Sequence, residues 1–76
     1  MNASSAKGRQ LLAAALRVPD HAIADDAGIA TLEAWDSLAH VRIMAALEEA
    51  IGRQLASEEI VMISRLSDIV AALDRR

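Results

Sequence analysis

The chain has 76 residues, a net charge of −3 and no cysteine, and 54 % of it is apolar, much of that alanine. A chain of this length holds one small core worth about 3–5 kcal/mol of net stability, so a single domain spanning residues 1–76 is expected. The missing cysteines exclude disulfides, zinc–thiolate sites and a thiol nucleophile, and the acid excess leaves no clustered basic surface for nucleic acid.

Alanine, leucine, glutamate and arginine favour helices. Scarce valine and threonine and a single aromatic, Trp35, argue against a sheet. An all-α fold is expected. His21 and His40 form no ligand pattern with nearby carboxylates, so no metal is expected. No charge-free apolar run approaches the roughly 20 residues of a membrane span.

Residues 1–19 carry Lys7, Arg9 and Arg17 without an acid, around the apolar run Leu11 to Leu16. That run falls short of a secretory core of about 7–15 residues. It reads instead as a first helix, and cytoplasmic residence is expected. Ser4 or Ser5 offers the cap, Leu12 and Leu16 lie one turn apart, and Pro19 is expected to stop the helix. Residues 18–35 then form a long connection, of a length that usually carries function, with Ile23, Ile29 and Leu32 expected to pin it to the core.

A second helix is expected from Ser37 to Ile51, ending at Gly52. Its core positions read as Val41, Met44 or Ala45, Leu47 and Ile51. Ser57 with Glu58 and Glu59 marks a short third helix over 58–63, since acids favour a first turn. Ser64 is expected to cap a last helix through Leu73, with Leu66, Ile69, Val70 and Leu73 on one side.

The stretch Trp35-Asp36-Ser37-Leu38 sits at the start of the second helix, behind the long connection. As bare residues, Asp36 is a helix cap and Ser37 a tolerable first-turn residue. Asp36-Ser37-Leu38, followed by Val41, by Ala46-Leu47-Glu48-Glu49 and by Ile51, resembles the acyl carrier proteins and the related stand-alone peptidyl or aminoacyl carriers. Ser57-Glu58-Glu59-Ile60 and Ser67-Asp68-Ile69-Val70 extend the likeness over nearly the whole chain.

The resemblance implies a four-helix bundle of the acyl-carrier type, with a long first loop and a short third helix. It also implies that Ser37 accepts 4′-phosphopantetheine from coenzyme A through a separate, magnesium-dependent phosphopantetheinyl transferase. Asp36 would cap the helix and contact that transferase or its magnesium. A phosphodiester at this place would meet the unpaired amides and positive dipole end of the helix. The arm's thiol would carry an acyl or aminoacyl thioester between a loading ligase and a downstream transferase or synthase. The chain itself would be a non-enzymatic carrier acting as a monomer. Partner contacts are expected at Leu38, Trp35, Arg42 and Ala45, although Trp35 also fits simple packing against the core.

Fatty-acid carriers of this family have a second helix dense in acids. Here Ala39, His40 and Arg42 come first, and acids wait until Glu48 and Glu49. A dedicated carrier of a secondary pathway, with an aminoacyl cargo among the options, fits that surface better. Two other classes stand beside it: a helical adaptor in which Ser37 is only part of a cap, and a very small hydrolase using Ser37 with His40, three positions on. The second lacks the G-x-S-x-G elbow, and His40 is expected to face solvent.

Overall fold

A computed structural model describes residues 3–75 of the chain; the domain limits expected at 1 and 76 lie outside them. Four helices follow one another: α1 at Ala3–Leu16, α2 at Ser37–Ile51, α3 at Ser57–Met62 and α4 at Leu66–Asp74. A 3₁₀ turn at Asp20–Ala22 interrupts the first connection. Among the described residues there is no strand, only an isolated antiparallel bridge between Gly28 and Arg65. This is the expected all-α bundle with a long first loop and a short third helix.

The way each helix begins and ends differs from expectation, with one exception. The exception is α2, where Asp36 caps the start and Gly52 closes the end in the left-handed region at φ 75°. A side chain at Gly52 would meet no neighbour, so only the backbone conformation calls for glycine. In α1, Ser4 and Ser5 lie inside the helix rather than at its cap. Nor does Pro19 stop α1. Arg17 adopts φ 60°, and the Val18 amide reaches back to the Ala13 carbonyl at 3.0 Å, a Schellman-type closure before the proline is reached.

The serine caps expected for the last two helices also fail. The residues preceding α3 and α4 are Ala56 and Arg65, and neither caps with its side chain. Carboxylates of the first turn reach back instead. Glu59 Oε1 accepts from the Ala56 amide at 2.9 Å, and Asp68 Oδ2 from the Ser64 amide at 3.0 Å. The first satisfies an amide that the start of α3 leaves unpaired; the second holds the residue just before the cap position of α4, whose Leu66 amide is taken by the Ala27 carbonyl.

Glu59 also accepts from both terminal nitrogens of Arg53, at 3.1 and 3.0 Å. The Arg53 hydrogen bond, then that from the Ala56 amide, lowers the Glu59 carboxyl from 4.5 to about 2. A carboxyl depressed by folding adds stability above its ordinary range and loses it as pH falls through the folded value. The thermal midpoints of wild type and Glu59→Gln should therefore differ at neutral pH and converge between pH 4.5 and about 2. The gap is expected to be small and salt-sensitive, because the pair is exposed. A constant gap across that window would show that the charge contributes nothing.

α1 packs on both α4 and α2, and α2 packs on α4. Gly8 makes the first contact possible, since a Cβ there would come within 2.8 Å of Val70 Cγ2. Trp35, Leu12, Ile43, Leu47 and Ile69 are the largest fully buried side chains. On α2 the buried residues are Ala39, Ile43, Met44 and Leu47. The expected core position Val41 is 65 % exposed, Ala45 is exposed and Ile51 half-buried.

The long connection is pinned, but not as expected throughout. Ile23, Ala27 and Trp35 are buried, Leu32 packs on the core from partial burial, and Ile29 is 47 % exposed. The backbone of Ile29 holds instead, its amide bonding the Ser64 carbonyl at 2.9 Å while Leu66 bonds Ala27 at 2.9 Å. From the other side Arg9 of α1 donates to the Ile23 carbonyl and to Asp25. The loop is thereby fixed to α1 on one side and to the start of α4 on the other, and its last residues lead into α2.

Candidate functional site

Three residues set the geometry where the loop meets α2. The Trp35 amide bonds the Leu32 carbonyl at 2.9 Å, closing a turn that brings the chain to Asp36. Asp36 is extended, at φ −102° and ψ −174°, and its Oδ1 accepts from the Ala39 amide at 2.8 Å. Ser37 follows as the first helical residue and is exposed. With Ala39 satisfied by the cap, the Ser37 and Leu38 amides are the donors that a helix start leaves over.

Behind this start lies a side-chain relay that the sequence did not announce. The Trp35 ring is buried, with 2 % of its surface exposed. Its indole N–H donates to His40 Nδ1 at 3.0 Å, and the two rings lie 6.0 Å apart at 21°. The other ring nitrogen, Nε2, lies 2.9 Å from the Ile60 carbonyl of α3. An indole can only donate and a carbonyl can only accept. The imidazole is therefore neutral, with its proton on Nε2.

This relay decides between the two readings of Trp35 and corrects the one made for His40. Trp35 is a core residue, not a surface for partners, because the loop turns its side chain inward. His40 is half-buried rather than solvent-facing. Both of its nitrogens are engaged away from Ser37, which leaves it no lone pair with which to activate the hydroxyl, and the hydrolase dyad falls.

The remaining expected surface residues are exposed on α2: Leu38 at 65 %, together with Arg42 and Ala45. Val41 joins them, and Val61 and Met62 expose large apolar side chains on α3, the helix that His40 ties to α2. Val61 and Met62 were not singled out from sequence; the available signal was two large apolar residues in a helix too short to bury all its faces. Glu48, one of the two acids on α2, is turned to structural use, its Oε2 accepting from the Leu55 amide at 2.8 Å. Among the described residues no group of three or more His, Asp or Glu side chains is placed to hold a metal ion, and no helix is long and apolar enough to cross a membrane.

A bundle of four helices whose second begins with an exposed serine behind an aspartate cap is the acyl carrier fold. Residues 9–73 match the family described as phosphopantetheine attachment site, and the chain belongs to that family. The family is defined by covalently attached 4′-phosphopantetheine. A comparison with curated proteins returns no match.

Proposed function

We propose that the protein is a non-enzymatic carrier that bears 4′-phosphopantetheine on Ser37 and passes an acyl or aminoacyl group between enzymes. The observation that carries this reading is the exposed hydroxyl at the first position of α2, beside two amides the cap leaves over. That donor set suits a phosphodiester, since amides and the helix dipole both favour an anion there. The bound group would supply the thiol for thioester chemistry that a cysteine-free chain lacks. Asp36 keeps one carboxylate oxygen on the Ala39 amide, which leaves the other to a transferase or its magnesium. The test is intact mass after incubation with coenzyme A and a broad-specificity transferase. One phosphopantetheine adduct is expected on the wild type and none on Ser37→Ala. An unmodified wild type, under conditions that modify a control carrier, would overturn the assignment.

The partner-facing surface supports a dedicated carrier rather than one read by acidic residues. Leu38, Val41 and Ala45 alternate with Arg42 on the exposed side of α2, while Glu48 is occupied by the Leu55 amide. Apolar contact should then outweigh charge steering, which salt screens over a Debye length of about 8 Å at physiological ionic strength. In loading by the cognate ligase, Leu38→Ala is expected to be slower than Glu49→Ala, with modest dependence on salt. Steep salt dependence and a larger defect at Glu49 would reverse that conclusion.

A further inference from the structure

We infer that His40 is a positioning residue for Ser37: its neutral ring clamps the end of the loop to α2 and α3, and so fixes the turn that presents the serine. The inference rests on the reading of Ser37 as the attachment site. Ser37 stands between the two ends of the clamp, two residues after Trp35 and three before His40. On its inner side, the junction Trp35-Asp36-Ser37 is held by two side-chain hydrogen bonds. Asp36 to the Ala39 amide fixes the backbone, and Trp35 to His40 fixes the side chain that precedes it.

The far end of the ring does a second job. Ile60 lies in the last turn of α3, where carbonyls lack a helical partner. The amide four residues on, that of Ser64, is taken by Asp68. His40 Nε2–H supplies the missing donor. This matters because α3 buries none of its own side chains fully; alongside the packing of Ile60 and of the flanking Leu55 and Ile63, the bond from α2 restrains where Val61 and Met62 lie relative to Ser37. A buried indole N–H needs an acceptor. A side chain that lacks one in place of His40 would leave Trp35 unpaired and free the loop end to shift.

The ring's chemistry makes the clamp observable without any activity. In nitrogen spectra of the unmodified protein at neutral to mildly alkaline pH, the His40 ring is expected as the Nε2–H tautomer, and the Trp35 indole proton should exchange slowly with solvent. Modification by coenzyme A and the broad-specificity transferase is then compared in three proteins of equal helicity. His40→Leu is expected to be modified about tenfold more slowly than wild type, the rate equivalent of one ordinary hydrogen bond. His40→Gln, which keeps a donor and an acceptor, should recover part of the loss. An Nδ1–H tautomer, a fast-exchanging indole proton, or a folded His40→Leu modified at the wild-type rate would each overturn the inference. If His40→Leu does not fold, the wild-type spectrum and the rate of His40→Gln decide it. A wild type left unmodified would overturn the Ser37 assignment instead, and the spectrum would still decide whether the clamp exists.

Discussion

Trp35→Ala is expected to cost about 3–5 kcal/mol, the range for reducing a buried aromatic to a methyl group. A chain of this size has about that much stability in total, so most molecules should be unfolded at ambient temperature. The reason is a double one. The ring is the largest buried side chain of the protein, which has no Phe or Tyr to share the role. It also holds the loop end, and its loss leaves His40 Nδ1 without a donor. Trp35→Phe separates the two effects by keeping most of the volume and removing the N–H. It should fall between wild type and Trp35→Ala in urea unfolding followed by far-ultraviolet circular dichroism. A midpoint for Trp35→Ala within error of wild type would show that the indole is not a core element.

Legibility followed the kind of signal. α2 was read to the residue because both its ends carry chemistry that only a helix end needs, an aspartate in front and a glycine behind. The other helix starts were misread through the same rule. Ser4 or Ser5, Ser57 and Ser64 all invite a cap, yet Glu59 reaches back to the cap amide of α3, and at α4 Asp68 takes the Ser64 amide while the Ala27 carbonyl takes that of Leu66. A serine before a helix and a Glu or Asp just inside it solve the same problem, and sequence does not say which is used. At the end of α1 a left-handed Arg17 does what glycine usually does, and nothing in the residue type marks it.

The Asp36 cap at the start of α2 was legible from residues because it is local, while the attachment role proposed for Ser37 rests on the likeness of that segment to the carrier family. The Trp35–His40–Ile60 relay was not legible, because it joins a loop residue to a helix residue five positions on and then to a carbonyl twenty positions further. No periodicity connects those three. The pinning of the loop by the amide of Ile29 rather than its side chain has the same origin: a backbone bond to Ser64 leaves no trace in residue type.

The facing of α2 was misread only in part: Met44 and Leu47 are buried and Ile51 packs on the core as expected, whereas Val41 is exposed. The helix has two apolar stripes. Leu38, Val41 and Ala45 recur at i, i+3 and i+7, while Ala39, Ile43 and Leu47 recur at i, i+4 and i+8, so either side satisfies a helical period. Burial selects the second: Ile43 and Leu47 are fully enclosed, whereas Val41 is 65 % exposed. Leu47→Ala should therefore cost about 2–5 kcal/mol, and Ile43→Ala a similar amount. Val41→Ala, an exposed substitution toward a better helix former, should stay within about 0.5 kcal/mol of wild type. Urea unfolding of the three variants gives the comparison directly. Because a loss at Leu47 approaches the whole stability of the domain, Leu47→Met serves as the graded control; swaps that conserve volume generally cost less than about 1.5 kcal/mol. A destabilised Val41→Ala beside an undisturbed Leu47→Ala would mean that α2 is rotated from the orientation described, with Leu38 and Val41 inside. The exposed stripe would then be the wrong surface on which to look for partners. With the described orientation, Asp36, Leu38 and Val41 face outward around Ser37, the serine proposed for attachment, while Ala39, Ile43 and Leu47 hold the helix from the core side.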